Sequence, residues 1–268
     1  NMNIDFSACA TFKGENQKPL WTERLVRFGR SRPSIGEIAE TALKRGLNGI
    51  VLRSFSHPEG TDDRWNTYKQ QMEGQGNFNY LENGIALYQS PNSGKKLVLI
   101  HGQGLMTDKG SIQVLFADGI VGARKPNYSA NFRYLVDVAR DNGQDVLITA
   151  SRPYAWDLDV LKHVDAVETW NGMDSLDNNT RARGVADQLG KPGVYVSNSK
   201  CLPDLGSSYT TLTTSWTNFE SSDIAHCIRL GLSLLGKNGI EGKRGKSTFS
   251  KLIQALAVLE VKVTGNKD

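Results

Sequence analysis

Six residues of this chain have the types needed to grip an anion or move a proton: Asp5, Arg53, His101, Arg152, Glu168 and Lys200. Each falls within or just beyond a short apolar run, as in Gly49-Ile50-Val51-Leu52-Arg53 and Val194-Tyr195-Val196-Ser197-Asn198-Ser199-Lys200. Buried parallel strands deliver side chains to a pocket in this way, at their C-terminal ends. Three of the six are cations. Arg holds two phosphate oxygens at once and Lys makes a point contact, so Arg53, Arg152 and Lys200 describe a phosphate site. Asp5 and Glu168 are the carboxylates that would balance it.

Hydrolytic chemistry has less to work with. The four histidines, His57, His101, His163 and His226, are scattered, with no pair at ligand spacing. A divalent ion needs several anionic or imidazole ligands converging on one point, and without a metal nothing obvious activates an attacking water. Two other routes to activity stay open: Cys9 as a nucleophile with His57 or His101 as its base, and Asp5 with Glu168 as the holders of one metal. Cys is equally at home as a small buried hydrophobe. Gly102-x-Gly104 lacks the rest of a dinucleotide fingerprint and reads as a turn, so no cofactor is implied.

The elements that must position these residues alternate. Met2 to Cys9 reads as a strand and is followed by a long, basic loop, Thr11 to Arg32. Ser34 and Glu37 form a capping box before a helix that Gly46 ends. Strands are expected at 50–55, 84–89, 97–101, 111–116, 145–150, 165–170 and 194–197, with helices near 62–72, 131–142, 156–163 and 178–189. A Thr-rich strand, 209–219, a helix at 222–235 and a final amphipathic helix from Thr248 to Val261 complete the chain. Strand then helix recurs often enough to argue for parallel strands with helices packed outside, as a barrel or a doubly wound sheet.

Composition narrows the setting. A chain of 268 residues with 38% apolar content can bury one full core. No apolar run nears the roughly 20 residues that span a bilayer, no basic-then-apolar leader opens the chain, and Cys9, Cys201 and Cys227 have no paired spacing. We therefore expect a cytoplasmic protein with reduced thiols and no membrane partner. The net charge of +4 is carried by residues 237–268, which hold seven Lys and Arg against three acidic residues. We divide the chain into a domain over 1–236 and a basic connector with a C-terminal helix over 237–268, docked on the domain.

Three stretches together resemble the polymerase and histidinol phosphatase (PHP) family: Asp5-Phe6-Ser7-Ala8-Cys9, Gly46-Leu47 leading to Arg53-Ser54-Phe55, and Glu168-Thr169-Trp170-Asn171-Gly172 followed by Ser197-Asn198-Ser199-Lys200. The resemblance covers roughly residues 2 to 235 and implies an α/β fold, a distorted seven-stranded (β/α) barrel, here with a C-terminal helical extension. In active members it implies a three-metal cluster held by His, Asp and Glu that hydrolyses phosphate esters. This chain departs from that pattern at the ligand positions: Ser7 and Cys9, Ser54 and Phe55, Gly104, Ser111, Arg152, Asn198 and Lys200 stand where the family places metal ligands. Asp5 alone keeps a ligand type.

The expected function follows from that exchange. Fixed cations in place of metal-binding groups would keep an attraction for phosphate and remove the nucleophile. We expect a catalytically inactive phosphoesterase fold that binds a phosphorylated ligand or nucleic acid through a basic pocket. The alternatives are a protein-interaction or structural module, engaging a partner through the C-terminal helix, and a phosphoesterase with an altered metal site.

Overall fold

The computed structural model describes residues 2–8, 33–57, 60–61, 64–116, 132–141, 146–153, 157–199, 202–214, 221–235 and 242–245. Cys9, Lys200, the basic loop from Thr11 to Arg32 and the expected helix from Thr248 to Val261 lie outside them.

Apolar side chains two apart make strands with two buried faces, and these strands form one mixed sheet. β1 (Met2–Ala8) pairs in parallel with β2 (Gly49–His57), and β2 in parallel with β6 (Lys96–Thr107). β7 (Gly110–Leu115) turns back against β6 and runs antiparallel to β8 (Leu147–Ser151). β8, β9 (Ala166–Asn171) and β10 (Gly193–Val196) are again parallel. On the other side of β1, β11 (Tyr209–Leu212) and β12 (Gly242–Lys243) add antiparallel strands, so the path runs β10-β9-β8-β7-β6-β2-β1-β11-β12. Among the described residues this path has nine strands. The short strands β3 (Gly60–Thr61), β4 (Phe78–Tyr80) and β5 (Ile85–Gln89) lie off this path.

The sheet curls until its ends nearly meet, and side chains bridge the gap. Tyr195 N on β10 donates to Thr210 Oγ1 on β11 at 2.8 Å. Ser197, just past β10, donates to Asp5 on β1 from both its amide and its hydroxyl. The result is a barrel-like sheet with an inside and an outside. Ile4, Phe6, Val51, Leu115, Leu147, Ala166 and Val194 fill the inside.

Helices cover the outside. α1 (Ile35–Lys44) starts at the expected capping box, with Ser34 N donating to Glu37 Oε2 at 2.7 Å and Glu37 N to Ser34 Oγ at 3.2 Å. With α2 (Arg64–Met72) it packs Ile38, Ala42 and Trp65 on Ile50, Leu52 and Leu99. α3 (Phe132–Asp141), α4 (Leu158–Leu161) and α5 (Leu176–Leu189) cover Ile112, Ile148 and Val167. α6 (Ser221–Leu235) differs, because Ile224, Ile228 and Leu232 join the inner cluster. Its Arg229 donates to Val146 O at the start of β8, so α6 closes the end where the parallel strands begin. The opposite end is left for a site. No helix among the described residues is long and apolar enough to cross a membrane.

The Gly102-x-Gly104 stretch is no turn. It lies inside β6, which runs on to Thr107 before turning at Asp108 and Lys109. A Cβ on Gly102 would sit 2.4 Å from Gln113 Nε2 and 2.6 Å from Val51 Cγ1. Glycine is there because neighbouring side chains occupy the space a side chain would need.

Candidate functional site

Register decides which face each candidate occupies, because paired residues share a face. Arg53 pairs with Gly102, and Gly102 with Leu115 of the inner cluster, so Arg53 points inside. Glycine at 102 and 104 leaves no β6 side chain in its way. Arg53 reaches across β6 to β7, where Nη2 donates to Ser111 Oγ at 2.7 Å. Ser111 in turn pairs with Ser151, the last residue of β8. The Ser151 hydroxyl is buried and has no hydrogen-bond partner among the described residues. A buried polar atom left in that state favours a ligand that would satisfy it.

Glu168 reaches the same interior through a fault in the ladder. Val194 pairs with Glu168, but Tyr195 pairs with Trp170, so β9 carries an extra residue at this point. A bulge re-aims the residues after it. Glu168 and Asn171, three apart, therefore share a face, and Asn171 Nδ2 donates to Glu168 Oε1 at 2.7 Å. Asn179 of α5 holds the strand end in place, its Oδ1 accepting from Asn171 N at 2.8 Å and its Nδ2 donating to Asn171 O at 3.1 Å.

Arg152 follows Ser151 with φ 52°, and Asn198 follows Ser197 with φ 47°. The left-handed region is ordinary for Asn but costs Arg about 1 kcal/mol or more, and such strain gathers at functional rims. Arg152 Nε lies 3.4 Å from Asp174 Oδ2 and its side chain is about half exposed. The four charges act on one another. Burial draws the Arg53 guanidinium down to about 10, against the pull of Glu168, and the charge of Arg152 lowers it further. Burial raises the Glu168 carboxyl, with Arg53 and its Asn171 hydrogen bond opposing. The Asp174 carboxyl is also raised by burial and lowered by Arg152.

Asp5 and His101 lie elsewhere. Asp5 pairs with Ile50 of the outer layer, and its oxygens accept from Ser197 N at 3.1 Å, Ser197 Oγ and Gly206 N at 3.1 Å. It is a seam residue that ties β1 to the end of β10. His101 pairs with Leu52, also facing outwards, and stacks on Trp65 with ring centroids 5.0 Å apart. Its Nε2 lies 2.7 Å from Ser54 Oγ. Burial holds the ring down at about 4, so it is neutral at neutral pH. A Ser and His at this distance satisfy one another inside a packed layer, and among the described residues no carboxylate orients the ring as a hydrolytic site would require.

The structure thus brings Arg53, Arg152 and Glu168 together and separates Asp5 and His101 from them. Sequence reading placed Ser111 and Asn171 in motif positions without giving them a part in the site, and it missed Ser151 and Asp174. Ser151 was within reach, as the small polar residue ending DVLITAS directly before Arg152. A three-metal centre does not fit what is present: among the described residues no group of three His, Cys, Asp or Glu could hold a metal. The seam takes Asp5, and Ser54 faces the outer layer. A separate cavity of about 330 Å³, lined by Lys69, Met72, Glu73, Phe78 and Tyr80 among others, shares none of these groups.

No protein-family profile matches the sequence, and no curated protein matches it. Solved structures do match. PsfC from Pseudomonas syringae PB-5123 superposes with a TM-score of 0.59 at 12% identity, over 98% of both chains. A two-domain protein from Bacteroides vulgatus, described as containing a predicted PHP-like metal-dependent phosphoesterase, gives 0.54 at 12% identity, over 91% of this chain and 65% of its own. The lesion-specific endonuclease EndoQ from Pyrococcus furiosus gives 0.52 at 13%, over 85% of this chain and 56% of its own. The chain therefore spans less than two thirds of the latter two. At these identities the likeness is one of fold, and the fold is PHP-like.

Proposed function

We propose that this chain is a PHP-like phosphoesterase fold that binds a phosphorylated small ligand inside its barrel and does not hydrolyse it through metals. The phosphate is received by Arg53, by the Ser151 hydroxyl and by Arg152 at the strand ends. One observation carries the reading: the buried Arg53 guanidinium is bonded to Ser111, and the strand partner of Ser111, Ser151, carries a buried hydroxyl with no partner among the described residues. Glu168 acts on Arg53 as a counter-charge. The positions that the resemblance gives to metal ligands are here Ser7, Cys9, Ser54, Phe55, Gly104, Ser111, Arg152, Asn198 and Lys200, with Asp5 alone of a ligand type, which supports binding without a metal-activated water.

Calorimetric titration with inorganic phosphate and with adenosine monophosphate tests this. An Arg to phosphate contact contributes about 1.5–3 kcal/mol, so Arg53→Gln with Ser151→Ala should weaken binding at least tenfold while the fold persists by circular dichroism. Equal binding by the variant removes the interior from the account. Elemental analysis showing three divalent ions per purified chain, together with manganese-stimulated ester hydrolysis, would overturn the non-metal part.

A further inference from the structure

Within the basic connector, Gly242 and Lys243 form a clamped strand. Lys243 pairs with Tyr209, and Gly242 with Thr210. Gly245 O accepts from Trp170 Nε1 at 3.1 Å and from Ser208 Oγ at 2.7 Å, and Ser208 Oγ also accepts from Gly245 N at 3.0 Å. The glycines make this clamp possible. A Cβ on Gly242 would fall 2.1 Å from Tyr209 O, and one on Gly245 would fall 2.3 Å from Ser207 O. Between them Lys243 and Arg244 are held out in solvent.

Arg244 lies over the Trp170 ring, 5.6 Å from its centroid. On the same flank Arg183 projects from α5, exposed. Burial pushes the Tyr195 phenol up, and the charges of Arg244 and Arg183 draw it back, so both charges act on that side chain. Arg133, Arg140 and Arg152 each have a carboxylate partner, and Arg45 and Arg229 each donate to a backbone carbonyl. Arg183, Lys243 and Arg244 have no carboxylate partner among the described residues. Like charges kept close together without counter-charges repel, and a polyanion relieves that repulsion.

We propose that this flank, Arg183, Lys243 and Arg244 beside Trp170, is a binding strip for single-stranded nucleic acid. The two exposed side chains of the clamped strand and Arg183 contact successive phosphates. The guanidinium of Arg244, backed by the Trp170 indole, offers its outer plane to an unstacked base. A duplex would hide that base face, and a membrane surface would call for exposed apolar anchors that these three positions lack. The strip lies outside the barrel, so it stands or falls separately from the interior phosphate site.

The experiment uses the full chain and a fluorescein-labelled 15-mer oligouridylate, followed by anisotropy between 50 and 200 mM salt. Each single-strand phosphate contact contributes about 0.7 to the slope of log affinity on log salt. Arg183→Gln/Lys243→Gln/Arg244→Gln should therefore lower the slope by about 2, and over this range the wild type should lose roughly 20-fold more affinity than the variant. Inorganic phosphate titrated into the same variant should bind as in the wild type, which separates this strip from the interior. Oligouridylate binding without any phosphate binding would sink the interior reading and leave this one standing. An unchanged slope in the triple variant, tighter binding of a matched duplex, or binding only to phosphatidylserine vesicles or an acidic peptide overturns the strip.

Discussion

Replacing Asp5 by alanine separates a seam residue from a ligand-binding one. The carboxylate is fully buried and accepts from Ser197 N, Ser197 Oγ and Gly206 N. Alanine leaves two buried amides without an acceptor, whereas the Ser197 hydroxyl can turn elsewhere. An orphaned buried N–H costs about 1–3 kcal/mol, so the pair amounts to about 4 kcal/mol. That is a large part of the roughly 5–15 kcal/mol that holds a domain together, and at this size it lowers Tm by on the order of 10 °C. Asp5→Asn keeps one oxygen and should fall between the two. Urea unfolding followed by tryptophan fluorescence measures the loss, and phosphate titration of Asp5→Asn should show unchanged affinity. A variant within 1 kcal/mol of wild type that has lost phosphate binding would refute the seam and return Asp5 to the site.

Three further outcomes follow from the same geometry. His101 is held from 6.5 down to about 4, so its contribution is fully present above pH 6.5 and is lost as pH falls towards 4; the shift corresponds to about 3 kcal/mol. His101→Gln should therefore lose less stability than wild type between pH 7 and 4, and the His101 ring should show no titration by NMR above pH 5.5. The Glu168 carboxyl is raised from 4.5, so the folded state holds the proton more tightly than the unfolded state, and the stability this confers is lost as pH rises above 4.5. Urea midpoints of Glu168→Gln should gain on wild type over that rise, and parallel curves would argue against the burial of this charge. Gly102→Ala drives a methyl against Val51 and Gln113 and should cost about 1–3 kcal/mol by thermal melting.

Local chemistry made much of the fold readable. The Ser34 and Glu37 capping box, the Gly190 that ends α5 with φ 61°, and the alternating runs of β2, β8 and β10 are all written in neighbouring residues. The motif resemblance supplied the barrel. What could not be read was side-chain direction around irregularities. The β9 bulge turns Asn171 to the face of Glu168, and no residue near it announces an extra position in the ladder. The glycines of β6 looked like a turn because their reason for being there, Val51 and Gln113, lies on other strands.

By itself, then, the sequence determined much of the order of elements and the residue types available to a site: three cations among six candidates and four scattered histidines. Local pattern and spacing carry those facts without folding. The tertiary structure alone decided that Arg53 and Glu168 share the barrel interior while Asp5 ties the seam and His101 faces a packed outer layer. A strand alternates its faces, so one bulge or one register step sends a side chain to the opposite side of the sheet, and the partners that set register come from distant parts of the chain.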